Sequence, residues 1–289
     1  MRDYAITTDS SCDFDYRLAD SLGVTVVPLS VQLGPDRFRN TPEEAIDSRT
    51  FYERLSQGEL AQTSAPNVED FKKVWRPLLQ RGKDILYLGF SSGLSGTYHN
   101  GTIAAQDLRE EFPEARILTV DTLCASLGQG LLIDLTVQEK RQGKTLDEAA
   151  AFAEKNRLHL CHWFTVGDLS QLRRGGRLSA GKAIVGSILN IKPVLHVDDE
   201  GHLVPMESAK GRRKSIEALI QHMEESAVAP EKQRVYISHG NCLADAEALA
   251  LLVRKRLHVS SVTIGDIGPV IGAHSGAGTL ALFFLGTHR

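Results

Sequence analysis

The segment that decides the fold class is Asp84-Ile85-Leu86-Tyr87-Leu88-Gly89-Phe90-Ser91-Ser92-Gly93-Leu94-Ser95-Gly96-Thr97. Its first half, residues 84–90, is a short apolar run of the length typical of a buried strand. The hydroxyl residues and glycines that follow are typical of a loop, and the stretch from 97 to 112 predicts a helix. A buried strand followed by a loop and a helix is the unit from which mostly parallel α/β sheets are built.

The same alternation of strands and helices extends through the first half of the chain. Thr41-Pro42-Glu43-Glu44 supplies an N-cap, a proline at the first helical position and a capping-box glutamate, and Thr145 with Glu148 forms a second capping box. The predicted strands are 4–8, 24–33, 84–90 and 115–121. The predicted helices are one that ends at 22, then 41–57, 67–80, 97–112, 126–141 and 145–157.

A different pattern begins near residue 157. Two apolar runs, 191–197 and 203–207, flank Asp198-Asp199-Glu200-Gly201-His202, which predicts an antiparallel hairpin. The other elements predicted here are strands 160–166, 234–238 and 259–264, with helices 214–226 and 244–257. We therefore predict an α/β protein. A doubly wound, mostly parallel sheet domain (1–156) is followed by a second α/β domain with a mixed sheet (157–289).

Composition excludes several classes of protein. Of the 289 residues, 42% are hydrophobic, the net charge is −3 and aromatic residues make up 6%, a balance that disfavours nucleic-acid binding. The stretch 267–288 lacks Asp, Glu, Lys and Arg, but its proline and glycines favour a buried loop and strand over a membrane span. Cys12, Cys124, Cys161 and Cys242 form no Cys-x-x-Cys pair, and no signal-peptide pattern precedes the first strand. We expect a cytoplasmic protein with reduced thiols and no metal site.

Three loops that follow predicted strands are rich in small hydroxyl residues: Asp9-Ser10-Ser11, Ser91 to Thr97, and Asp121-Thr122. Loops at the carboxyl ends of parallel strands lie along one edge of the sheet, where ligands commonly bind. Their free N–H and hydroxyl groups suit a carboxylate or a phosphate. Helix capping by serine and threonine explains the same residues without any ligand, and the sequence leaves both interpretations open.

The sequence contains no complete catalytic motif among those tested. Gly93-Leu94-Ser95-Gly96-Thr97 fails the last position of the Gly-x-Ser-x-Gly elbow. Neither the Gly-x-x-x-x-Gly-Lys-[Ser/Thr] nucleotide loop nor a Gly-x-Gly-x-x-Gly dinucleotide loop is present. A hydrolase or transferase that uses Ser95 as a nucleophile on a small anionic substrate stays open as an alternative.

Two further segments combine glycines with groups that can bind anions. The turn Arg173-Arg174-Gly175-Gly176-Arg177 is either a solvated loop or a site for an anion or a protein partner. In His274-Ser275-Gly276-Ala277-Gly278, glycines surround a histidine that is either structural or functional. The turn Gln62-Thr63-Ser64-Ala65-Pro66 is either the approach to the next helix or part of the same site.

These segments, in this order, resemble the DegV family, and the matching pieces cover the chain from end to end. They are Thr7-Thr8-Asp9-Ser10-Ser11-Cys12-Asp13, Val26-Val27-Pro28-Leu29, Gln62-Thr63-Ser64-Ala65-Pro66, Ser91-Ser92-Gly93-Leu94-Ser95-Gly96-Thr97-Tyr98, Leu169-Ser170-Gln171-Leu172-Arg173-Arg174-Gly175-Gly176-Arg177, Asn190-Ile191-Lys192-Pro193 and Gly272-Ala273-His274-Ser275-Gly276-Ala277-Gly278. Each is weak alone; together they are specific.

The resemblance implies two α/β domains with a long-chain fatty acid held between them and no cofactor. It implies that Thr63 and Ser95 hold the carboxylate. It further implies a non-catalytic subunit that carries the fatty acid to a separate, ATP-binding fatty acid kinase subunit. A stand-alone lipid sensor without a kinase partner is a further alternative.

The chain departs from the family pattern at two positions. Asn40 stands where an acidic residue is common, and Lys210 where an arginine is common. We predict that the binding site has a rim that contacts either the head group of the lipid or the kinase subunit. The candidate rim residues are His274, Arg177, Arg173 and Lys210. An apolar tunnel would hold the hydrocarbon tail of the fatty acid. Its candidate lining residues, which could equally belong to the hydrophobic core, are Phe164, Ile184, Ile188, Leu189 and Ile191.

Overall fold

A computed structural model describes residues 2–179 and 190–289, which form thirteen strands and ten α-helices. The strands are β1 (Tyr4–Asp9), β2 (Thr25–Val27), β3 (Ser30–Leu33), β4 (Asp36–Arg39), β5 (Ala61–Ser64), β6 (Asp84–Gly89), β7 (Ile117–Asp121), β8 (Leu160–Thr165), β9 (Ile191–Val197), β10 (Leu203–Lys210), β11 (Arg234–His239), β12 (Ser261–Asp266) and β13 (Leu280–Leu285). The helices are α1 (Tyr16–Leu22), α2 (Ser48–Ser56), α3 (Val68–Gln80), α4 (Thr97–Glu111), α5 (Ser126–Arg141), α6 (Leu146–Asn156), α7 (Ser170–Arg174), α8 (Arg212–Ser226), α9 (Leu243–Leu257) and α10 (Pro269–Ser275).

The first sheet is parallel throughout, with the strand order β2-β1-β6-β7. Alternate residues of β6 point to opposite faces, as the pleat of a strand requires. Ile85 and Tyr87 pack against α3 and α4 on one face. Leu86 and Leu88 pack against α5 and α6 on the other. Helices cover both faces, which confirms the predicted doubly wound arrangement.

The second sheet has six strands in the order β10-β9-β8-β13-β11-β12 and mixes parallel with antiparallel pairs. β9 and β10 form the predicted antiparallel hairpin, whereas β11 and β12 run parallel. Helices α8 and α9 cover one face of this sheet. The mixed sheet was predicted correctly. The predicted domain boundary between residues 156 and 157 lies in the connection between α6 and β8, and it stays a prediction.

Helix α5 packs against both sheets. Its residues Leu127 and Leu131 pack on Phe283 of the mixed sheet. Ile133 and Val137, further along the same helix, belong to the core of the parallel sheet. Every residue of α5 from Ser126 to Asp134 is buried, and the helix therefore joins the two parts of the molecule.

The predicted strand 24–33 is wrong as a single element, because the chain changes sheet at Pro28. Proline offers no N–H group to a sheet, and the next N–H group, that of Leu29, donates to the side chain of Ser10 at 2.9 Å. β2 therefore stays in the parallel sheet, while β3 pairs with β4 and β5 in a separate antiparallel sheet. The sequence did not predict β4 or β5.

One helix start and one whole helix also differ from the sequence prediction. The helix predicted to begin at Thr41 begins at Ser48 instead, because Asp47 caps it by accepting from the N–H of Thr50 at 2.9 Å. The stretch 267–288, predicted as a loop and strand, contains α10 before β13. Pro269 occupies its first turn and Gly276, with a φ of 79°, ends it. None of the helices within residues 2–179 and 190–289 has the length and apolar character needed to cross a membrane.

Candidate functional site

A cavity of about 230 Å³ lies between the mixed sheet and the loops of the first half of the chain. One wall is the face of the mixed sheet that carries Phe164, Ala281 and Phe283. Val270 and Ile271 of α10 form part of another wall. Large apolar side chains therefore line much of the cavity, while the small side chain of Ala281 leaves room between Phe164 and its neighbours.

The lining of the cavity brings together four predicted site residues, Thr63, Ser95, Arg177 and His274, which we call the head-group region. Thr63 lies on β5 and His274 on α10, and their Oγ1 and Nε2 atoms are 2.8 Å apart. Arg177 donates to the carbonyl of Leu94 at 3.2 Å and thereby lies against the loop that carries Ser95. The structure thus assembles these side chains from four segments far apart in sequence.

Arg177 carries a positive charge without a carboxylate partner among the described residues. Its guanidinium donates to the carbonyls of Leu94 and, at 2.5 Å, of Gly175. Carbonyl oxygens fix the orientation of the guanidinium without neutralising its charge. The head-group region therefore offers a cation to an anionic ligand.

His274 is neutral at neutral pH. Burial, together with the nearby positive charge of Arg177, lowers the pKa of its imidazole to about 4. Nδ1 has no hydrogen-bond partner in the described residues, and Nε2 faces Thr63. For Thr63 to donate its proton to a bound carboxylate, Nε2 must carry a proton and donate to Oγ1 of Thr63. The imidazole then strengthens Thr63 as a donor.

The glycine that gives the imidazole its space is not one of those expected from the sequence. A Cβ atom on Gly175 would collide with Nδ1 of His274. Gly272, by contrast, makes room for the hydroxyl of Tyr52, to which a Cβ would come within 2.5 Å. The glycine of the basic turn, rather than those beside the histidine, therefore lets α7 and α10 approach each other.

The N–H groups of the hydroxyl-rich loops are largely occupied by the chain's own acceptors, which are carbonyls, hydroxyls and two carboxylates. Asp9 accepts from the N–H groups of Phe90 at 2.9 Å and Ser11 at 3.1 Å. Asp121 accepts from the N–H of Ser92 at 3.2 Å. The hydrogen bonds of Asp9 and Asp121 join neighbouring loops and make them rigid. They leave the ligand to be held mainly by side chains.

The serine-nucleophile alternative lacks the geometry it needs. In the described structure, the hydroxyl of Ser95 lies 2.9 Å from Oγ1 of Thr97 and accepts from the Thr97 N–H at 3.2 Å. Activation of a serine requires a hydrogen bond to a base that is itself oriented by a third group. The base at hand, His274, faces Thr63, and its Nδ1 has no carboxylate partner among the described residues.

Two of the predicted rim residues lie away from the cavity. Arg173 is exposed on the last turn of α7, and Lys210 is exposed at the end of the edge strand β10. Neither belongs to the described lining of the cavity. Asn40 accepts from the hydroxyl of Tyr16 at 3.2 Å and lies on an open groove elsewhere. Only Arg177 and His274 of the predicted rim reach the head-group region.

The tail candidates are partly tested. Phe164 lines the cavity, whereas Ile191, at the start of β9, is not part of its described lining. Ile184, Ile188 and Leu189 lie outside the described residues. Sequence reasoning missed the apolar residues of α10, although the pattern of a proline followed seven residues later by a glycine was a usable helix signal.

The whole chain matches one protein family. The model of the DegV family matches residues 3–287. A DegV domain-containing protein of Clostridium perfringens is 41% identical over 286 residues, which cover 99% of this chain and 98% of the relative. A DegV domain-containing protein of Streptococcus pyogenes is 36% identical over 98% of both chains.

Solved structures agree with this match. The structure of a fatty-acid-binding DegV family protein from Thermus thermophilus has a TM-score of 0.86 at 31% identity and covers 98% of this chain and 99% of that one. A DegV lipid-binding protein from Thermotoga maritima also has a TM-score of 0.86, at 28% identity with 99% of each chain covered. The chain therefore belongs to the DegV family.

Proposed function

We propose that this protein binds one long-chain fatty acid, with its carboxylate in the head-group region and its tail along the apolar walls of the cavity. The observation that carries the proposal is a largely apolar cavity whose head-group region presents hydroxyls and a guanidinium that has no carboxylate partner among the described residues. Thr63 and Ser95 donate to the carboxylate, and Arg177 supplies the opposite charge. Neutral His274 orients Thr63 without adding a second buried charge.

The two ends of the ligand contribute differently to affinity. Each buried methylene contributes about 0.8 kcal/mol, so a tail of about 15 methylenes contributes about 12 kcal/mol before the cost of ordering it. A hydrogen bond to a charged group contributes about 1.5–3 kcal/mol. The tail therefore supplies most of the binding free energy, while the head-group region fixes the orientation of the lipid in the cavity.

Relatives with a similar fold support this proposal. The Thermus thermophilus protein is described as binding fatty acid. The structure of DegV from Bacillus subtilis, at 26% identity and a TM-score of 0.84, is described as that of a fatty acid binding protein. The head-group region of this chain has the side chains that such a ligand needs.

We further propose that the chain is not catalytic alone and that, in the cytoplasm, it presents the bound lipid to a separate ATP-dependent fatty acid kinase subunit. In that reaction a carboxylate oxygen attacks the γ-phosphorus of ATP, and acyl phosphate and ADP are formed. Two observations support this part: the resemblance to the family, and a sequence without a phosphate-binding nucleotide loop. Arg177 and His274 would then steady the charge of the reacting carboxylate.

Lipid binding is tested by titrating delipidated protein with palmitic acid and with 1-hexadecanol, which has the same tail and no carboxylate. We expect tight binding of the acid and weaker binding of the alcohol. Mass spectrometry of denatured protein after expression should release a non-covalent fatty acid. A covalent adduct on Ser95, or equal affinity for acid and alcohol, would contradict the proposed site.

The kinase step is tested separately with a cognate ATP-binding subunit, trapping acyl phosphate with hydroxylamine. Acyl hydroxamate should form only when both proteins and ATP are present. Arg177→Ala and His274→Ala should lower its formation more than they lower lipid binding. If lipid binds and no hydroxamate forms with the cognate subunit, the protein is a lipid carrier or sensor and the kinase proposal fails.

A further inference from the structure

The two outer strands of the mixed sheet differ in how their free edges are protected. On β10, Pro205 offers no N–H group, and a register shift between Pro205 and Glu207 disturbs the strand. Prolines and bulges of this kind keep an edge from pairing with another chain. β12 pairs with β11 in an unbroken parallel register and contains neither feature. The edge of β12 is therefore the one that is open to a further strand.

The outward-facing backbone groups of β12 follow from its pairing with β11. The N–H of Ile267, one residue past the strand, donates to the carbonyl of His239 on β11 at 2.8 Å. Successive residues of a strand direct their N–H and C=O groups to opposite sides. The backbone groups of Val262, Ile264 and Asp266 therefore point away from β11.

The side chain of Arg254 on α9 agrees with this direction. Its guanidinium donates to the carbonyl of Val262 at 3.3 Å, on the exposed side of the strand. Within residues 2–179 and 190–289, no group on the outer side accepts from the N–H of Ile264 or Asp266. Two backbone donors of this edge are left for another chain.

A groove of about 1150 Å³ borders the same edge, and we call it the β12 groove. Residues 263–266 of β12 line it, together with parts of α1 and the start of α9. Two large side chains in its lining are exposed, Leu243 at 51% and Tyr16 at 42%. The groove thus offers apolar contacts beside free backbone donors.

The charge of the β12 groove is negative. Arg17 is the arginine of its described lining, and burial lowers the pKa of the lining histidine, His239, so that it stays neutral. Burial also raises the pKa of Asp13 to about 8. The other acidic residues of the described lining are Asp15, Asp47, Glu247 and Asp266. Four carboxylates against one guanidinium favour a cationic occupant.

We infer that the β12 groove binds an extended segment of a partner protein that is rich in lysine or arginine and adds to the mixed sheet as a strand beside β12. In this mode of recognition, main-chain hydrogen bonds supply affinity and alternate side chains supply specificity. The N–H groups of Ile264 and Asp266 donate to carbonyls of the segment. Its basic side chains lie near Glu247 and Asp266, and its apolar ones near Leu243. This inference does not depend on the bound lipid.

A second copy of this chain fits the groove less well than a separate segment does. A second copy would bring the same carboxylates to the same surface, and like charges across an interface are unfavourable. Its β12 would also arrive flanked by its own α9 and β11. Because α1 also lines the groove, the space beside β12 suits a single extended chain.

The test uses a fluorescein-labelled peptide of ten residues in which lysine and valine alternate. One control peptide carries glutamate in place of lysine. A second keeps the lysines but has every amide N-methylated, so it cannot pair with a strand. We expect the lysine peptide to bind wild type at least tenfold more tightly than either control. In NMR hydrogen exchange, its binding should slow the amides of Ile264 and Asp266.

A matched pair of variants tests the charge of the groove. Glu247→Gln should raise Kd for the lysine peptide two- to fivefold, whereas Glu154→Gln, which removes an exposed carboxylate on α6 outside the groove lining, should leave it unchanged. Absence of binding, equal binding of the lysine peptide and either control peptide, or equal Kd values in the two variants would overturn the inference. Sedimentation that shows a dimer with the same two amides protected would also overturn it, because a second copy would then occupy the edge.

Discussion

Replacement of Thr63 by valine isolates the contribution of one hydroxyl to lipid binding. Valine has nearly the same shape and suits a strand, and position 63 lies on β5 opposite Val31. The backbone is therefore expected to stay in place. Thr63→Ser is the matched control, because it keeps the hydroxyl and removes only the methyl group.

The magnitude follows from the hydrogen bonds that the hydroxyl makes. In the complex, the valine variant loses one bond to a carboxylate, worth about 1.5–3 kcal/mol, so Kd for palmitic acid should rise roughly 10- to 150-fold. In the lipid-free protein, Nε2 of His274 loses its 2.8 Å partner, which should lower the free energy of unfolding by about 1–3 kcal/mol. The serine variant loses about 0.8 kcal/mol of methyl burial.

The assay is displacement of a fluorescent fatty acid from delipidated protein by palmitic acid and by 1-hexadecanol. In the valine variant the affinity for the acid should approach that for the alcohol. In the serine variant the difference between them should persist. Equal Kd values for palmitic acid in wild type, valine and serine variants would refute the carboxylate contact of Thr63.

Three further predictions use other residues of the site and its supports. Burial raises the pKa of Asp13 to about 8, so between pH 7 and 9 wild type should lose about 1.4 kcal/mol more stability than Asp13→Asn in parallel urea titrations. Burial and the charge of Arg177 lower the pKa of His274 to about 4. As the pH falls from 6.5 to 4, the free energy of unfolding of lipid-free wild type should therefore fall by up to about 3 kcal/mol relative to that of His274→Gln. Opposite slopes would refute these assignments. Gly175→Ala should destabilise the protein by about 1–3 kcal/mol and weaken lipid binding. Gly96→Ala, with no atom within 4 Å of its Cβ, should be destabilised less; equal melts of the two variants would exclude the proposed collision.

The parts of the fold that sequence predicted well depend on local signals. The run Asp84–Gly89 is a buried strand because its apolar side chains fill both faces of one sheet. The capping box at Thr145 and Glu148 begins α6 as predicted, with both reciprocal bonds in place. The similar pattern at Thr41 failed because a better-placed cap, Asp47, lies six residues later, and nothing local separates the two.

The site was less accessible to sequence reasoning because its contacts are long-range. Thr63 and His274 are 211 residues apart, and their pairing depends on a three-stranded sheet that was not predicted at all. The resemblance to the DegV family identified Thr63 and His274 as candidate site residues. It also implied that Thr63 and Ser95 hold the carboxylate. It could not supply the role of Gly175, since that follows from packing between α7 and α10.

The charges in the head-group region suit holding a carboxylate more than transforming it. Arg177 is oriented by backbone carbonyls and has no ion pair within residues 2–179 and 190–289 that a ligand would have to break first. His274, with its lowered pKa, stays neutral while it orients Thr63. In the proposed complex, the hydroxyls of Thr63 and Ser95 donate to the carboxylate and thereby make its oxygens weaker nucleophiles. In the proposed kinase reaction, the partner that brings the phosphoryl group would therefore have to compensate for these bonds.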